Sequence, residues 1–229
     1  MSTLILSIET STKVCSVALH KDHQLLACHE LFTEKSHSGM LTMLIHNVVH
    51  QTGNSLQAID AIAVAKGPGS YTGLRIGVST AKGLCFALDK PLLSVNTLEA
   101  MVWQLRSFYD QHVLLCPMLD ARRMEVYCAL FDVAGKLISP TEAKVIDETA
   151  FSELLAQKKV VFFGEGADKC RPKLAHQANA IFLETPIHPS ARTIGLLASR
   201  AYQEGVFEDL PTFEPFYLKE FVSTSGLKK

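Results

Sequence analysis

The chain has 229 residues, of which 48% are hydrophobic and 20% are charged, and its formal net charge is −1 at pH 7. This composition is typical of a globular protein with one large or two small domains, and the near-zero charge argues against a broad surface for nucleic acid or membrane. The first apolar run lacks a preceding basic region and is broken at Glu9, which does not fit a signal peptide, and no apolar stretch is long enough to cross a bilayer.

The use of cysteine points to a reducing compartment. The six cysteines form no Cys-x-x-Cys pair, and most of them lie within apolar runs. Such cysteines are typical of reduced core residues and favour neither a disulfide framework nor a zinc site. We therefore expect a cytoplasmic protein without a membrane partner.

The first 109 residues predict a three-stranded meander followed by alternating helices and strands. The predicted strands lie near 4–8, 14–20, 25–32, 61–65 and 91–95. The predicted helices cover 38–51, the stretch from a glycine turn to about 88, and 97–109. Strands that alternate with helices favour a mixed sheet covered by helices.

The same order of elements repeats from residue 110. The predicted strands lie at 113–119, 125–131, 137–146 and 160–163, and the predicted helices at 149–157, after 164 and at 191–204. Glu9 and Asp120 each end the first strand of their half, and Ala18 and Ala129 have the same separation. We infer an internal duplication with two α/β lobes, 1–109 and 110–229. The tail, 207–229, is expected to pack back across the first lobe and to fray from 223 onwards.

The most informative stretch is KGPGSYTGLRIG, at 66–77. Gly67 and Gly69 permit a tight turn after a strand, Ser70 can cap the following helix, and a helix N-terminus suits an anion. The stretch is not a Walker loop, because its third glycine is followed by Leu-Arg, and a dinucleotide fingerprint would need glycine where Thr72 stands. The spacing alone leaves open a phosphate site or a turn that only lets the helix pack on the strand.

The two lobes together resemble the actin-like, hexokinase-like ATPase fold, in which each lobe is ribonuclease H-like. The resemblance implies that the first hairpin turn holds phosphate and that the acid ending the first strand organises a metal through water. The candidate residues of a weak or vestigial nucleotide site are Glu9, Thr10, Ser11, Gly67, Gly69, Ser70, Gly164 and Gly166. ATP or ADP could bind there, although no cofactor is expected to be required.

Four blocks, in order, are similar to the TsaB (YeaZ) family, a branch of that fold. They are LSIETST with CSVAL near the start, GPGSYTGLRIG at 67–77, DARRMEVY at 120–127 and PFYL at 215–218. The resemblance implies a role in forming threonylcarbamoyladenosine in tRNA, as the non-catalytic companion of a paralogous catalytic subunit, TsaD, with an ATPase, TsaE. The chain departs from the family pattern at Glu9, where Asp is usual, and at Met124, where Gly is usual.

The catalytic paralogue carries a metal-binding His-Met-Glu-Gly-His motif after the strand that follows the glycine helix. Thr97 and Met101 stand where its histidines would be, and neither side chain replaces imidazole as a ligand. We therefore expect no catalytic residue, no metal and no metallopeptidase activity. His46 and His50 have a metal-capable spacing but no evident third ligand, so they too predict no metal site.

The helix predicted at 38–51 carries Met40 and Met43 on a wide apolar face, which is typical of adaptable interfaces. The resemblance places it beside the glycine helix, in an interface with a TsaD-like subunit or with a second copy of this chain. The expected contact residues are His37, Met40, Leu41, Leu44, Gly73, Leu74, Gly77 and Val78. The other interpretation is that these residues belong to the internal core.

Two hypotheses about function follow. In the first, the chain is a scaffold that dimerises with a TsaD-like subunit, engages a TsaE-like ATPase and meets tRNA only through that complex. In the second, it is an autonomous ATP-binding enzyme, such as a small-molecule kinase or ATPase, in which Glu9, the Gly67 turn and the Gly164 turn converge on magnesium-ATP. Glu9 and Asp120 could separately form an acid pair across the cleft. A polar network between the lobes is expected around 120–125.

Overall fold

In a computed structural model, the described residues are 2–33 and 37–219, without the side chain of His37. The first sheet comprises β1 (Leu4–Glu9), β2 (Cys15–Lys21), β3 (Gln24–Leu31), β4 (Ala61–Gly67) and β5 (Leu92–Asn96). Its spatial order is β3-β2-β1-β4-β5, with an antiparallel meander and with β1, β4 and β5 parallel. Two helices, α1 (His37–Gln51) and α2 (Tyr71–Leu88), share an apolar core with this sheet.

The second sheet repeats this arrangement. It comprises β6 (Val113–Asp120), β7 (Glu125–Phe131), β8 (Leu137–Val145), β9 (Lys159–Phe163) and β10 (Ala180–Phe182), with α4 (Ser152–Leu155) and α5 (Glu165–Leu174) between its strands. Its order is β10-β9-β6-β7-β8. The strands β6 to β10 therefore occupy the positions that β1 to β5 occupy in the first sheet. The predicted duplication is confirmed, whereas β10, with only three residues, was not predicted.

Two further helices pack on the first sheet, and one of them also contacts the second. The first, α3 (Thr97–Leu105), packs Ala100 towards the first sheet and Met101 against the second. The second, α6 (Ala191–Gln203), lies in the segment assigned to the second lobe, yet it packs on β1 and β2 of the first. Gly195 permits this contact because a β-carbon there would collide with His20. The lobes are therefore joined by packed helices as well as by the chain.

The end of the described chain crosses the molecule. The Glu208 N–H donates to the Leu92 carbonyl at 2.9 Å, and Phe213 is buried in the core of the first lobe. Lys219 contacts the second lobe, so the part of the predicted tail from 207 to 219 touches both lobes. The predicted fraying at 223–229 lies outside the described residues. No helix in 2–33 or 37–219 has the length and apolarity of a membrane span.

Candidate functional site: the facing turns and the α1–α2 face

Glu9 ends β1 in a fully buried position. One carboxylate oxygen accepts the Ser11 N–H at 2.5 Å, and the other has no hydrogen-bond partner among the described residues. Burial raises the pKa of Glu9 to about 7, although the hydrogen bonds from Ser11 oppose this shift. The side chain therefore points into protein, and the predicted role of this acid towards a bound metal does not fit its packing.

The turn after Glu9 is packed on the start of α2. The Thr10 hydroxyl donates to the Gly73 carbonyl at 2.8 Å, and the Ser70 N–H donates to the Ser11 carbonyl at 2.6 Å. A β-carbon would collide with this turn at three glycines: Gly69, Gly73 and Gly77. The glycines of the signature therefore permit close packing within the first lobe, which was the second interpretation of the spacing.

In the second lobe, Gly164 and Gly166 occupy corresponding places at the start of α5. Ideal β-carbons at these glycines would lie 2.5 Å from the Met118 carbonyl oxygen and 2.8 Å from the Leu119 carbonyl carbon. Both glycines are buried and serve helix-to-strand packing. They follow β9, whose parallel neighbour β6 ends in the exposed Asp120.

The turn between β6 and β7 is held by lysine side chains. Lys169 of α5 pairs with the Asp120 carboxylate and donates to the carbonyls of Arg123 and Glu125, each at 2.7 Å. Burial alone would raise the pKa of Asp120, but the bonds from Lys169 and the Arg122 N–H bring it below its usual value. Glu9 is thus buried without a positively charged partner among the described residues, whereas Asp120 is exposed and paired with Lys169. These different environments do not favour a catalytic pair of acids.

Among the predicted nucleotide-binding residues, only Gly69 and Ser70 have exposed surface to any extent. The buried ones are Glu9, Thr10, Ser11, Gly67, Gly164 and Gly166. The six residues of the first lobe do come together, with hydrogen bonds from the Ser11 N–H to Glu9 and from the Ser70 N–H to the Ser11 carbonyl. The remaining Glu9 oxygen and the Ser11 hydroxyl are buried and have no hydrogen-bond partner among the described residues. As packed, they do not fit a nucleotide phosphate, and ATP binding stays a prediction that this geometry does not favour.

The predicted interface residues divide by burial. Most of them lie in the core of the chain's own first lobe: Leu41, Leu44, Gly73, Leu74, Gly77 and Val78. Met40 is half-buried, and the side chain of His37 is outside the described residues. These six residues pack against the β-sheet and the Thr10 turn, so their direct contact with a partner stays a prediction that this packing does not favour.

The exposed surface of the same two helices forms what we call the α1–α2 face. Met43 is 48% exposed on α1, and Phe86 is 84% exposed on α2. An open groove of about 440 Å³ is lined by Ser38, Tyr71, Thr72, Arg75, Ile76, Ser79 and Thr80. Helix α1 has no acidic residue, lysine or arginine, and α2 has only Arg75 and Lys82. The sequence had already indicated Met43, whereas it did not indicate Phe86 or the groove.

The positions compared with a metal motif lie in the interior. Thr97 and Met101 are fully buried, and Met101 packs in the core of the second sheet. The rings of His46 and His50 stack on the exposed side of α1, with 5.7 Å between their centroids. Within 2–33 and 37–219, no three histidine, cysteine or acidic side chains are grouped so that they could hold a metal ion.

Comparisons with known proteins give a consistent relationship. Residues 31–223 match the family model of TsaD, tRNA N6-adenosine threonylcarbamoyltransferase. The chain is 35% identical over 166 residues to the tRNA threonylcarbamoyladenosine biosynthesis protein TsaB of Bacillus subtilis, with 70% of each chain covered. It is 30% identical to the TsaB protein of Escherichia coli, with 97% of each covered.

Solved structures agree with this relationship. YeaZ from Pseudomonas aeruginosa has a TM-score of 0.81 at 26% identity, over 94% of this chain and 100% of the other. An activator of 2-hydroxyisocaproyl-CoA dehydratase from Clostridium difficile, solved with bound ADPNP, has a TM-score of 0.50 at 10% identity, over 90% and 97% of the two chains. The second likeness shows the fold alone. The predicted fold class, two duplicated lobes of the actin-like ATPase kind, is confirmed.

Proposed function

We propose that this chain, which belongs to the TsaB (YeaZ) family of tRNA threonylcarbamoyladenosine biosynthesis proteins, is a non-catalytic subunit that binds and activates a TsaD-like catalytic subunit. The observation that carries the proposal is the α1–α2 face. It carries a groove lined by Ser38 and α2, exposed Phe86 on α2 and very few charges, and Met43 is exposed elsewhere on α1. Depletion of charge with exposed methionine and aromatic side chains is typical of the centre of a protein interface.

The small residues of this face favour another helix as the occupant. Ser38, Thr72, Ser79 and Thr80 line the groove, so a partner helix could approach the two backbones closely. Helices that pack through such grooves approach to about 8–10 Å between axes. A paralogous subunit would offer an equivalent pair of helices. The predicted homodimer would use the same face, so the second copy and the catalytic partner would compete for it.

The interior of the lobes supports a non-catalytic role. Glu9 is fully buried next to the Thr10 turn, and Thr97 and Met101 are fully buried in the interior. Activation would then be an equilibrium effect, in which the chain binds the active state of its partner more tightly than the inactive state. Engagement of a TsaE-like ATPase, contact with tRNA only through the complex, and a cytoplasmic location belong to the same proposal.

A reconstitution tests the function. A TsaD-like subunit, a TsaE-like ATPase, a source of threonylcarbamoyl-adenylate and substrate tRNA are mixed with or without this chain, and modified adenosine is quantified. We expect modification to require the chain and to persist with Glu9→Ala. Modification that proceeds equally well without the chain would overturn the proposal and favour the autonomous enzyme, and loss of modification with a folded Glu9→Ala variant would contradict the non-catalytic role.

Binding variants test the surface. Met43→Glu and Ser79→Arg place a charge on the α1–α2 face without touching the core. Each should weaken binding of the TsaD-like subunit by about 100-fold, which is within the range for central interface positions. Phe108→Glu is the matched control, since Phe108 is 77% exposed but lies outside both helices. Equal binding by all three variants would exclude this face.

A further inference from the structure

The last described segment, residues 213–219, runs along the molecule without regular secondary structure, and we call it the strap. It begins at Phe213, which is buried in the core of the first lobe. It ends at Lys219, whose ammonium group contacts the second lobe. Between these ends it passes over the glycine turn, so one short segment connects the turns of the two lobes.

On the first lobe, the strap makes two kinds of contact. The Phe216 N–H donates to the Lys66 carbonyl at 2.7 Å, and the Phe216 carbonyl oxygen lies 3.0 Å from an ideal β-carbon at Gly67. The ring of Tyr217 lies 4.9 Å from the ring of Tyr71, at the start of α2. The absence of a side chain at Gly67 therefore leaves room for the strap.

On the second lobe, the strap ends on a firmly held turn. Lys219 pairs with the Glu125 carboxylate and donates to the Ala121 carbonyl at 3.2 Å. Lys169 holds the same turn from the other side, through the Arg123 and Glu125 carbonyls. Lys219 therefore ties the strap to a rigid part of its lobe.

The strap is held weakly compared with the sheets. The strap makes one backbone hydrogen bond to Lys66 and the ring contact between Tyr217 and Tyr71. Its Phe213 carbonyl accepts a hydrogen bond from Lys82, and Lys219 contributes a partly exposed ion pair, a hydrogen bond to the Ala121 carbonyl and a contact with the Tyr127 ring. Single contacts of these kinds contribute little net free energy each. Segments held in this way open locally far below the free energy of global unfolding. Release of the strap beyond Phe213 would break these contacts but none of the strand pairings within the two sheets.

The strap also touches the groove of the α1–α2 face. Tyr71 lines that groove, and its hydroxyl accepts a hydrogen bond from the Arg75 guanidinium at 3.2 Å. The same Tyr71 ring contacts Tyr217. A partner that orders Tyr71 and Arg75 in the groove would thus also favour the seated position of the strap.

We propose that the strap is a releasable clasp between the two lobes, and that occupancy of the α1–α2 groove favours its closed state through the contact of Tyr71 with Tyr217. The coupling between groove occupancy and the closed clasp rests on the proposed function, because the proposed occupant of the groove is a TsaD-like subunit. Such coupling is reciprocal: releasing the clasp at Lys219, away from the groove, must weaken the partner's binding.

The clasp itself is tested in the isolated chain by amide hydrogen exchange. Lys219→Ala removes the ion pair with Glu125, and Lys173→Ala, which removes the 3.0 Å pair with Glu148 within the second lobe, is the matched control. With Lys219→Ala, we expect amides at 66–73 and 120–125 to exchange about three- to tenfold faster. The control should leave them unchanged. Equal exchange in the two variants would overturn the clasp.

The coupling is tested by the affinity for the TsaD-like subunit. Lys219→Ala and Tyr217→Ala should each weaken binding about three- to tenfold, while Lys173→Ala binds as the unmodified chain does. Unchanged affinity in both strap variants would overturn the coupling. If the unmodified chain does not bind the subunit at all, the proposed function and the coupling both fail, and the exchange measurement still decides on the clasp.

Discussion

Glu9 makes the stability of the molecule depend on pH. Burial raises its pKa from 4.5 to about 7, so the folded state favours the protonated acid over a range in which the unfolded chain is ionised. Ionised Glu9 therefore destabilises the folded state above pH 7. The penalty fades as pH falls from about 7 to 4.5, and it is absent below both pKa values.

We expect Glu9→Gln to increase the free energy of unfolding by about 3 kcal/mol at pH 8, since each pKa unit corresponds to about 1.4 kcal/mol. Glutamine keeps an oxygen to accept the Ser11 N–H, so the gain should disappear near pH 4.5. Urea unfolding at both pH values measures this difference, with the exposed Glu153→Gln as control. A gain that is equal at the two pH values would contradict the burial of an ionisable group here.

At the scale of single elements, α2 shows why a glycine pattern has two meanings. Gly77 faces the Thr10 hydroxyl, whereas an added β-carbon at Gly83 would have no atom within 4 Å. Both glycines lie inside the same 18-residue helix. The conformational cost of glycine is therefore similar at the two positions, and only the neighbouring surface differs.

Gly77→Ala should destabilise the chain by about 1–3 kcal/mol, because it overpacks a closed contact. Gly83→Ala should stabilise it by up to about 1 kcal/mol, because alanine has the higher helix propensity and its β-carbon would have no neighbouring atom within 4 Å. Chemical denaturation of the two variants measures the difference. Small and equal changes in the free energy of unfolding of the two variants would mean that the Thr10 turn can shift at little cost and that Gly77 does not determine the packing.

The order of elements could be predicted because it depends on local pattern. The Ser70 cap, the strand ending at Glu9 and the repeat of the meander all leave signals within a few residues. The surface against which the glycines of α2 pack could not be predicted, since a glycine stripe has the same spacing whether it packs on its own lobe or on a partner. The predicted interface residues therefore stay a prediction: six of them are buried in the chain's own first lobe, whereas Met43, which the sequence also indicated, is exposed.

Other features of the site depend on contacts that are distant in sequence. Lys219 pairs with Glu125, and Lys169 donates hydrogen bonds to the carbonyls of the turn at 120–125. These contacts join segments that share no sequence pattern. The polar contacts found at 120–125 join residues of the segment 110–229, and not the two lobes as was predicted, and their lysines were not predicted. The three-residue β10 is too short to show a period, and it forms because β9 offers it a parallel edge.

At the scale of the whole molecule, the two lobes share their helices. The buried residues Ile194, Leu197 and Ala198 of α6 complete the core of the first sheet, together with Ile5 and Leu93. The segment 1–109 contains the strands of that sheet and α3 but lacks α6, which covers this side of the sheet together with α3. A division at residue 110 therefore separates the two sheets in sequence but cuts through a shared core.

This arrangement predicts the behaviour of fragments. A fragment of residues 1–109 should show no cooperative thermal transition, because without α6 it exposes the apolar side of its sheet to water. Co-expression with 110–229 should restore a complex that melts near the temperature of the intact chain. Calorimetry and co-purification measure both outcomes. A fragment 1–109 that melts cooperatively by itself would show instead that the first lobe folds as an independent domain and that α6 only docks on it.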